Sequence, residues 1–169
     1  MSLPESTALR LRTQLDCLPT ILAGVTEEAL ERQPVPEKWS ARQNLAHLAR
    51  YQEVFLSRLR RVQTEIDPIL PRYRAEDDPE WPLWINRKAK DVLKKLSAQR
   101  TILVHEVQRM TSADLARAAI HPRFGPLTVV QWLEFFLLHE AHHLLAVLQR
   151  SREQESKAGA GPHDSSGNR

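Results

Sequence analysis

The chain has 169 residues, 41% of them hydrophobic and 27% charged, which is typical of one globular domain with a buried core. The 24 basic and 21 acidic residues are scattered along the sequence, and this pattern argues against a nucleic-acid partner. Cys17 is the single cysteine and no run of about 18 apolar residues occurs, so we expect no intrachain disulfide, no membrane span and a cytoplasmic location.

Helix is the secondary structure that the composition favours. Glycine is scarce, and the sequence is rich in Leu, Ala, Arg, Glu and Gln, which are good helix formers. No stretch alternates apolar and polar residues for long enough to indicate a sheet. We therefore predict an all-α protein, with residues 1–152 as one helical domain and residues 153–169 as a disordered C-terminal tail.

The first predicted helix carries a leucine stripe at 4-3-4 spacing that begins at Leu11. Pro19 lies inside this stripe and should kink or interrupt the helix. Gly24 suits the left-handed position at which such a helix ends, and Thr26 should begin a short further piece.

The second predicted helix begins at Ser40, which forms a capping-box pattern with Gln43, and runs to about Glu65. His47 lies on or beside its apolar stripe. We interpret the basic run at residues 58–61 as a solvated helix face rather than a phosphate site.

Two more long helices follow a proline-rich connection over residues 65–85. The third is predicted from about Asn86 to Met110. After a turn at residues 121–127, a second capping box at Thr128 begins the fourth helix, which runs to about Arg152. Four long amphipathic helices indicate a four-helix bundle.

Three histidines point to a metal site. His139 and His143 are four residues apart, so they project from one helix face, and His47 supplies a third donor from another helix. Two neighbouring buried imidazoles are a poor way to fill a core, whereas a divalent metal would satisfy one nitrogen of each ring. We therefore predict a three-histidine metal site with room for water or substrate on the ion.

The depth of these histidines predicts the topology of the bundle. His47 lies about 10 Å into the second helix, and His143 lies about 13 Å from the end of the fourth. Antiparallel packing of these two helices brings the histidine nitrogens to about the same height along the bundle. We therefore expect the 65–85 connection to cross the bundle, which leaves the second and third helices roughly parallel.

The segment from His139 to His143 also matches H-E-x-x-H, the zinc-protease motif in which the glutamate is the general base. We do not favour a protease, because its usual third ligand lies further along the chain, where only His163 is available.

Other side chains are candidates for supporting roles. Since ligand histidines are not proton carriers, a base would have to come from Glu140 or Tyr51. Asn44 and Tyr51 should line the same cavity as His47. His142 lies one residue off the ligand face and could replace a ligand less well. We interpret His121 as a turn residue and His105 as solvated.

Two segments carry a family resemblance. Residues 38–48 (KWSARQNLAHL) and residues 121–144, which end in HEAHHL, resemble the histidine-bearing segments of the DinB-like superfamily, in order and spacing. The resemblance covers residues 5–150. It implies a four-helix bundle of unusual connectivity, a zinc or nickel ion held by His47, His139 and His143, and homodimers. Some members are thiol S-transferases that use small bacterial thiols.

These observations give one leading hypothesis. We expect a metal-dependent enzyme with a small-molecule substrate, either a transferase acting on a low-molecular-weight thiol or a hydrolase. The alternative is a non-catalytic metal-binding or stress-response module of the same fold. A closed fourth coordination position would favour that alternative.

Overall fold

The long helices that the sequence predicts are present in the computed structural model, which describes residues 2–153. Apart from Glu153, the predicted tail lies outside the described residues. The α-helices are α1 (Glu5–Thr13), α2 (Leu18–Ile21), α3 (Glu27–Glu31), α4 (Ala41–Thr64), α5 (Trp81–Ile85), α6 (Ala89–Gln108), α7 (Ser112–Ala116) and α8 (Val129–Arg152). Turns of 3₁₀-helix lie at Gln14–Cys17 and Ala75–Asp77, and two strands are β1 (Ala118–His121) and β2 (Gly125–Thr128).

The first predicted helix is interrupted, as Pro19 indicated. A 3₁₀ turn over Gln14–Cys17 separates α1 from α2, and Pro19 occupies the first turn of α2, where no intrahelical N–H is needed. Gly24 follows with a φ of +75°, the left-handed conformation expected of it. The Thr26 side chain then accepts a hydrogen bond from the backbone N–H of Ala29 and caps α3.

Capping boxes fix where the two histidine-bearing helices begin. Ser40 and Gln43 exchange side-chain and backbone hydrogen bonds at the start of α4. Thr128 and Gln131 do the same at the start of α8. Both boxes were predicted, and they set the register of the histidines along their helices.

Helix α4 runs antiparallel to α8, as the histidine depths predicted. Near the start of α4, Asn44 contacts His143 near the end of α8. Further along α4, Phe55 stacks on Phe136, nearer the start of α8, with ring centroids 4.4 Å apart.

Helix α4 runs parallel to α6, so the predicted crossover is confirmed. The Gln52 side chain donates to the backbone carbonyl of Leu96 at 2.8 Å. Towards the other end of both helices, Arg60 pairs with Glu106. The connection after α4 therefore returns along the bundle before α6 begins.

A small antiparallel hairpin corrects the expectation of a purely helical chain. Strands β1 and β2 pair over four residues, and Gly125 at its turn has a φ of +73°. The Trp132 indole donates to the carbonyl of Ala119 and ties the hairpin to α8. The edge of β1 also holds the crossover, because Leu70 donates to the carbonyl of Ile120 at 3.0 Å. Strands of four residues are too short to show a period of two in the sequence.

The core consists of two clusters that meet near His47. Tyr51, one turn later on α4, belongs to the cluster around Trp132 and Phe136. Leu48 belongs to the cluster around Trp84. Among the described residues, no helix is both long and apolar enough to cross a bilayer.

Candidate metal centre

The three predicted histidines meet at one point between α4 and α8. The Nε2 atoms of His47 and His139 are 3.2 Å apart. One ring nitrogen from each of His47, His139 and His143 lies within 4.8 Å of the others. His47 is buried, and the other two are partly exposed.

Asn44 orients His143. The Nδ1–H of His143 donates to Asn44 Oδ1 at 2.9 Å, and the Asn44 amide in turn donates to the carbonyl of Ser40 at 2.8 Å. With Nδ1 used in this way, the Nε2 atom of His143 carries the lone pair and is left for a ligand.

The unpaired ring nitrogens fit a metal ion. Two ligands at about 2.1 Å from one ion, with angles of about 90–109° between them, are about 3.0–3.4 Å apart. The 3.2 Å between Nε2 of His47 and Nε2 of His139 lies in this range. The Nδ1 atoms of both rings are buried and have no hydrogen-bond partner among the described residues. Those Nδ1 atoms would keep their protons while both Nε2 atoms face the ion.

All three imidazoles are held neutral, the form that binds metals. Burial, followed by the charges of His143 and His139, lowers the pKa of His47 to about 2. Burial is also the largest cause that lowers the pKa of His139 to about 3 and that of His143 to about 4. The site is therefore ready for a cation at neutral pH.

An aromatic wall that the sequence did not predict surrounds His47. The Trp39 ring lies 4.9 Å from that of His47 and 5.9 Å from that of His143. Tyr73 and Trp81, both from the crossover, lie 5.7 and 6.3 Å from the His47 ring. Trp39 precedes the capping box and belongs to the segment that resembles the DinB-like superfamily, and these were its sequence signals. Nothing in the sequence distinguishes Tyr73 or Trp81 from core aromatics.

Tyr51 lines the site, as expected from its spacing. Its ring centroid lies 4.3 Å from that of His139, and its hydroxyl accepts a hydrogen bond from Arg58 at 3.0 Å. Burial raises the pKa of Tyr51, partly offset by Arg58, so the phenol is neutral. Its catalytic role stays a prediction.

Glu140 does not lie among the histidines, which corrects its expected place as a base at the metal. One carboxylate oxygen is paired with Arg100, and the other accepts from Gln14 at 2.8 Å. Burial raises the pKa of Glu140, and the charge of Arg100 opposes this. The angle of about 100° between adjacent helix residues turns Glu140 towards α1 and α6 while His139 faces α4.

Three further histidines of the described residues lie outside the cluster, and His163 lies beyond the described residues. His142 is exposed and meets His143 only edge-on, with ring centroids 5.1 Å apart. His121 is the last residue of β1 rather than the turn residue that the sequence predicted, and its Nδ1 accepts from the backbone N–H groups of Arg123 and Phe124 in the turn that follows. His105 is exposed on α6, also as predicted.

An apolar cavity of about 610 Å³ adjoins the cluster on the side of His139. Phe124 and Leu138 line it and are 54% and 66% exposed. A larger cavity of about 800 Å³ lies between the first helical stretch and α6, and none of the three histidines lines it.

The fold and the site define a four-helix-bundle protein with a three-histidine cluster between two antiparallel helices. The DinB superfamily model matches residues 10–147, and the chain belongs to this superfamily.

Two solved structures share the fold. YfiT from Bacillus subtilis is described as a probable metal-dependent hydrolase with an unusual four-helix bundle topology. It superposes with a TM-score of 0.75 at 18% identity, covering 89% of this chain and 87% of YfiT. The four-helix bundle protein TT2238 superposes with a TM-score of 0.60 at 24% identity, covering 85% of this chain and 96% of its own.

A sequence relative is also found in Bacillus subtilis. The uncharacterised protein YuaE is 28% identical over 142 residues, which cover 73% of this chain and 83% of YuaE.

Proposed function

We propose that this protein is a metal-dependent enzyme that uses the three-histidine cluster to activate water or a small thiol. The observation that carries the proposal is the convergence of His47 and His139 through Nε2 atoms 3.2 Å apart, with His143 oriented beside them. We name zinc or nickel as the ion, because imidazole nitrogen suits both.

In this proposal, the residues at the site have separate roles. His47, His139 and His143 would hold the ion, and Asn44 would keep the His143 ring in its ligating orientation. A divalent ion on neutral ligands supplies charge that lowers the pKa of a coordinated water or thiol. Trp39 and Tyr73 shield the cluster from bulk water on the side of His47.

Two reaction classes are compatible with the proposed site. Hydrolysis is supported by the likeness to YfiT, described as a probable metal-dependent hydrolase. Thiol transfer uses the same activation with sulfur as the nucleophile, and the apolar cavity beside His139 gives space for a small-molecule substrate. We further propose that the protein is a cytoplasmic homodimer, with neither nucleic acid nor membrane as a partner.

Metal analysis tests the ligand assignment. Protein purified without a polyhistidine tag should contain about one divalent ion per chain by plasma mass spectrometry. His143→Ala should lose that ion, whereas His142→Ala, an exposed neighbour on the same helix, should keep it. Full metal content in His143→Ala would refute the proposed site. Thiol-conjugation and ester-hydrolysis assays on the loaded protein then separate the two reactions.

A structural metal site is the second candidate, favoured by one observation. Glu140 follows a cluster histidine in sequence, but its two carboxylate oxygens are bonded to Arg100 and Gln14, so it is not available as a base. X-ray absorption of the loaded protein separates the candidates. Four protein ligands indicate a structural site, whereas three nitrogen ligands and an exchangeable position indicate an enzyme.

A further inference from the structure

A further pocket, of about 430 Å³, lies between α4 and the crossover and is rich in arginine. Its lining includes four arginines and one glutamate: Arg50, Arg58, Arg61, Arg72 and Glu53.

Two of these arginines are neutralised by acidic residues. Arg50 donates to both carboxylate oxygens of Asp78, at 2.7 and 3.2 Å, and to Glu53 at 3.0 Å. Arg61 donates to both oxygens of Glu65, at 2.7 and 2.8 Å. The acidic residues around the pocket are therefore committed to Arg50 and Arg61.

Arg58 and Arg72 have no acidic partner among the described residues. Arg58 is only 8% exposed, which corrects its interpretation as part of a solvated face, whereas the Arg60 and Arg61 side chains are exposed as expected. Two of its N–H groups donate to neutral acceptors, the Tyr51 hydroxyl at 3.0 Å and the Pro71 carbonyl at 2.5 Å. A guanidinium has five N–H groups and is always charged, so a buried one without a counterion is unfavourable unless an anion joins it.

The arginine pocket is next to the histidine cluster. Tyr51, which accepts from Arg58, lies with its ring 4.3 Å from that of His139. Tyr73 lines the pocket, and its ring is 5.7 Å from that of His47. Tyr51 and Tyr73 therefore lie between the pocket and these two histidines.

We propose that this pocket binds an oxyanion, a carboxylate or a phosphate, through Arg58 and Arg72. Arginine matches both groups with paired N–H donors, and Ser57 adds a hydroxyl to the same lining.

Anion binding by metal-free protein tests the pocket separately from the metal. The chelator-treated protein is titrated with inorganic phosphate and, in a second series, with succinate, by isothermal calorimetry or NMR. At least one probe should bind, and the tighter one identifies the anion class. Arg58→Gln and Arg72→Gln should each weaken that binding about 10-fold or more. Arg74→Gln is the matched control, since Arg74 is exposed and paired with Asp77 outside the pocket.

Three results would overturn the proposal: neither probe binds, binding survives unchanged in both arginine variants, or His143→Ala abolishes it. The last would place the anion on the histidines instead. Because Arg58 is buried, circular dichroism checks the fold of its variant, and the exposed Arg72→Gln decides the question if Arg58→Gln does not fold. A normal anion titration with no metal binding in wild type would refute the proposed enzyme while leaving the pocket intact.

Discussion

Asn44 and His143 join the two histidine-bearing helices through a single hydrogen bond of 2.9 Å. Asn44 lies one turn before His47 on α4, so one helix supplies both a candidate ligand and the residue that orients another. The amide is itself held by the Ser40 carbonyl at the capping box, which places the start of α4 in direct contact with the metal centre.

Replacing Asn44 should weaken metal binding without removing a ligand. We expect Asn44→Leu to lower affinity about 10–100-fold, because the imidazole of His143 loses the acceptor that fixes its tautomer and orientation. Asn44→Asp keeps that acceptor and should stay within a few-fold of wild type. Competition with a chelating dye measures both variants, and equal affinity in Asn44→Leu would show that the hydrogen bond does not orient the ligand.

The Arg100–Glu140 pair should stabilise the bundle rather than act at the metal. Arg100 also donates to Gln52 at 2.8 Å and to the Leu11 carbonyl at 3.0 Å, so this buried network joins all four long helical stretches. Glu140→Leu should lower the free energy of unfolding by about 3–5 kcal/mol, because it leaves a buried guanidinium unpaired.

The double variant Arg100→Met/Glu140→Leu is the control. It removes both charges and should lower the free energy of unfolding by less than Glu140→Leu alone. Urea unfolding gives the free energies. Metal content in Glu140→Leu should equal that of wild type. Loss of the ion from a folded variant would show that Glu140 contributes to the metal site.

The metal-free protein should lose stability as the pH falls below about 6.5. His47, His139 and His143 have pKa values lowered to about 2, 3 and 4 by burial, whereas unfolded histidine titrates near its ordinary value of about 6.5. The unfolded chain therefore takes up protons first, and each histidine removes up to about 1.4 kcal/mol per pH unit between about 6.5 and its folded pKa.

Urea denaturation at pH 7.5, 6.5 and 5.5 measures this effect. Variants with His47→Phe or His139→Phe should show a shallower slope with pH, while the exposed His105→Ala should not change it. A flat profile for wild type would show that these rings titrate normally in the folded protein.

Asp78 should hold the crossover against α4. It accepts from Arg50 at 2.7 Å and from the Tyr73 hydroxyl at 2.9 Å, and Tyr73 contacts His47. Asp78→Ala should lower the free energy of unfolding by about 1.5–3 kcal/mol, because charge-assisted hydrogen bonds are lost. It should also expose the crossover to proteolysis. Asp77→Ala, an exposed neighbour, is the control. Cleavage of both variants at the wild-type rate would contradict this role.

Local chemistry made much of the fold predictable. Capping boxes at Ser40 and Thr128 fixed two helix starts, and Pro19 and Gly24 marked an interruption and an end. The depths of the histidines along their helices then predicted the antiparallel packing of α4 and α8, because a shared ion requires its donor nitrogens at the same height along the bundle.

Features that depend on tertiary contacts were not predictable. The orientation of Glu140 depends on Arg100 in α6, and the burial of Arg58 depends on where the crossover passes. The strands β1 and β2 are too short to show a period, and they are held by Trp132 and by the crossover. Each depends on a partner distant in sequence that no local pattern encodes.

The two nitrogens that face each other at the candidate metal centre belong to residues 92 positions apart in the chain. Loop closure over such a distance is costly in entropy, so this contact forms only once the intervening chain has folded. An ion held there would bind the finished bundle alone and stabilise it by mass action, by about 4 kcal/mol at a thousand times its dissociation constant. Cellular metal supply would then set how long each copy of the protein survives proteolysis.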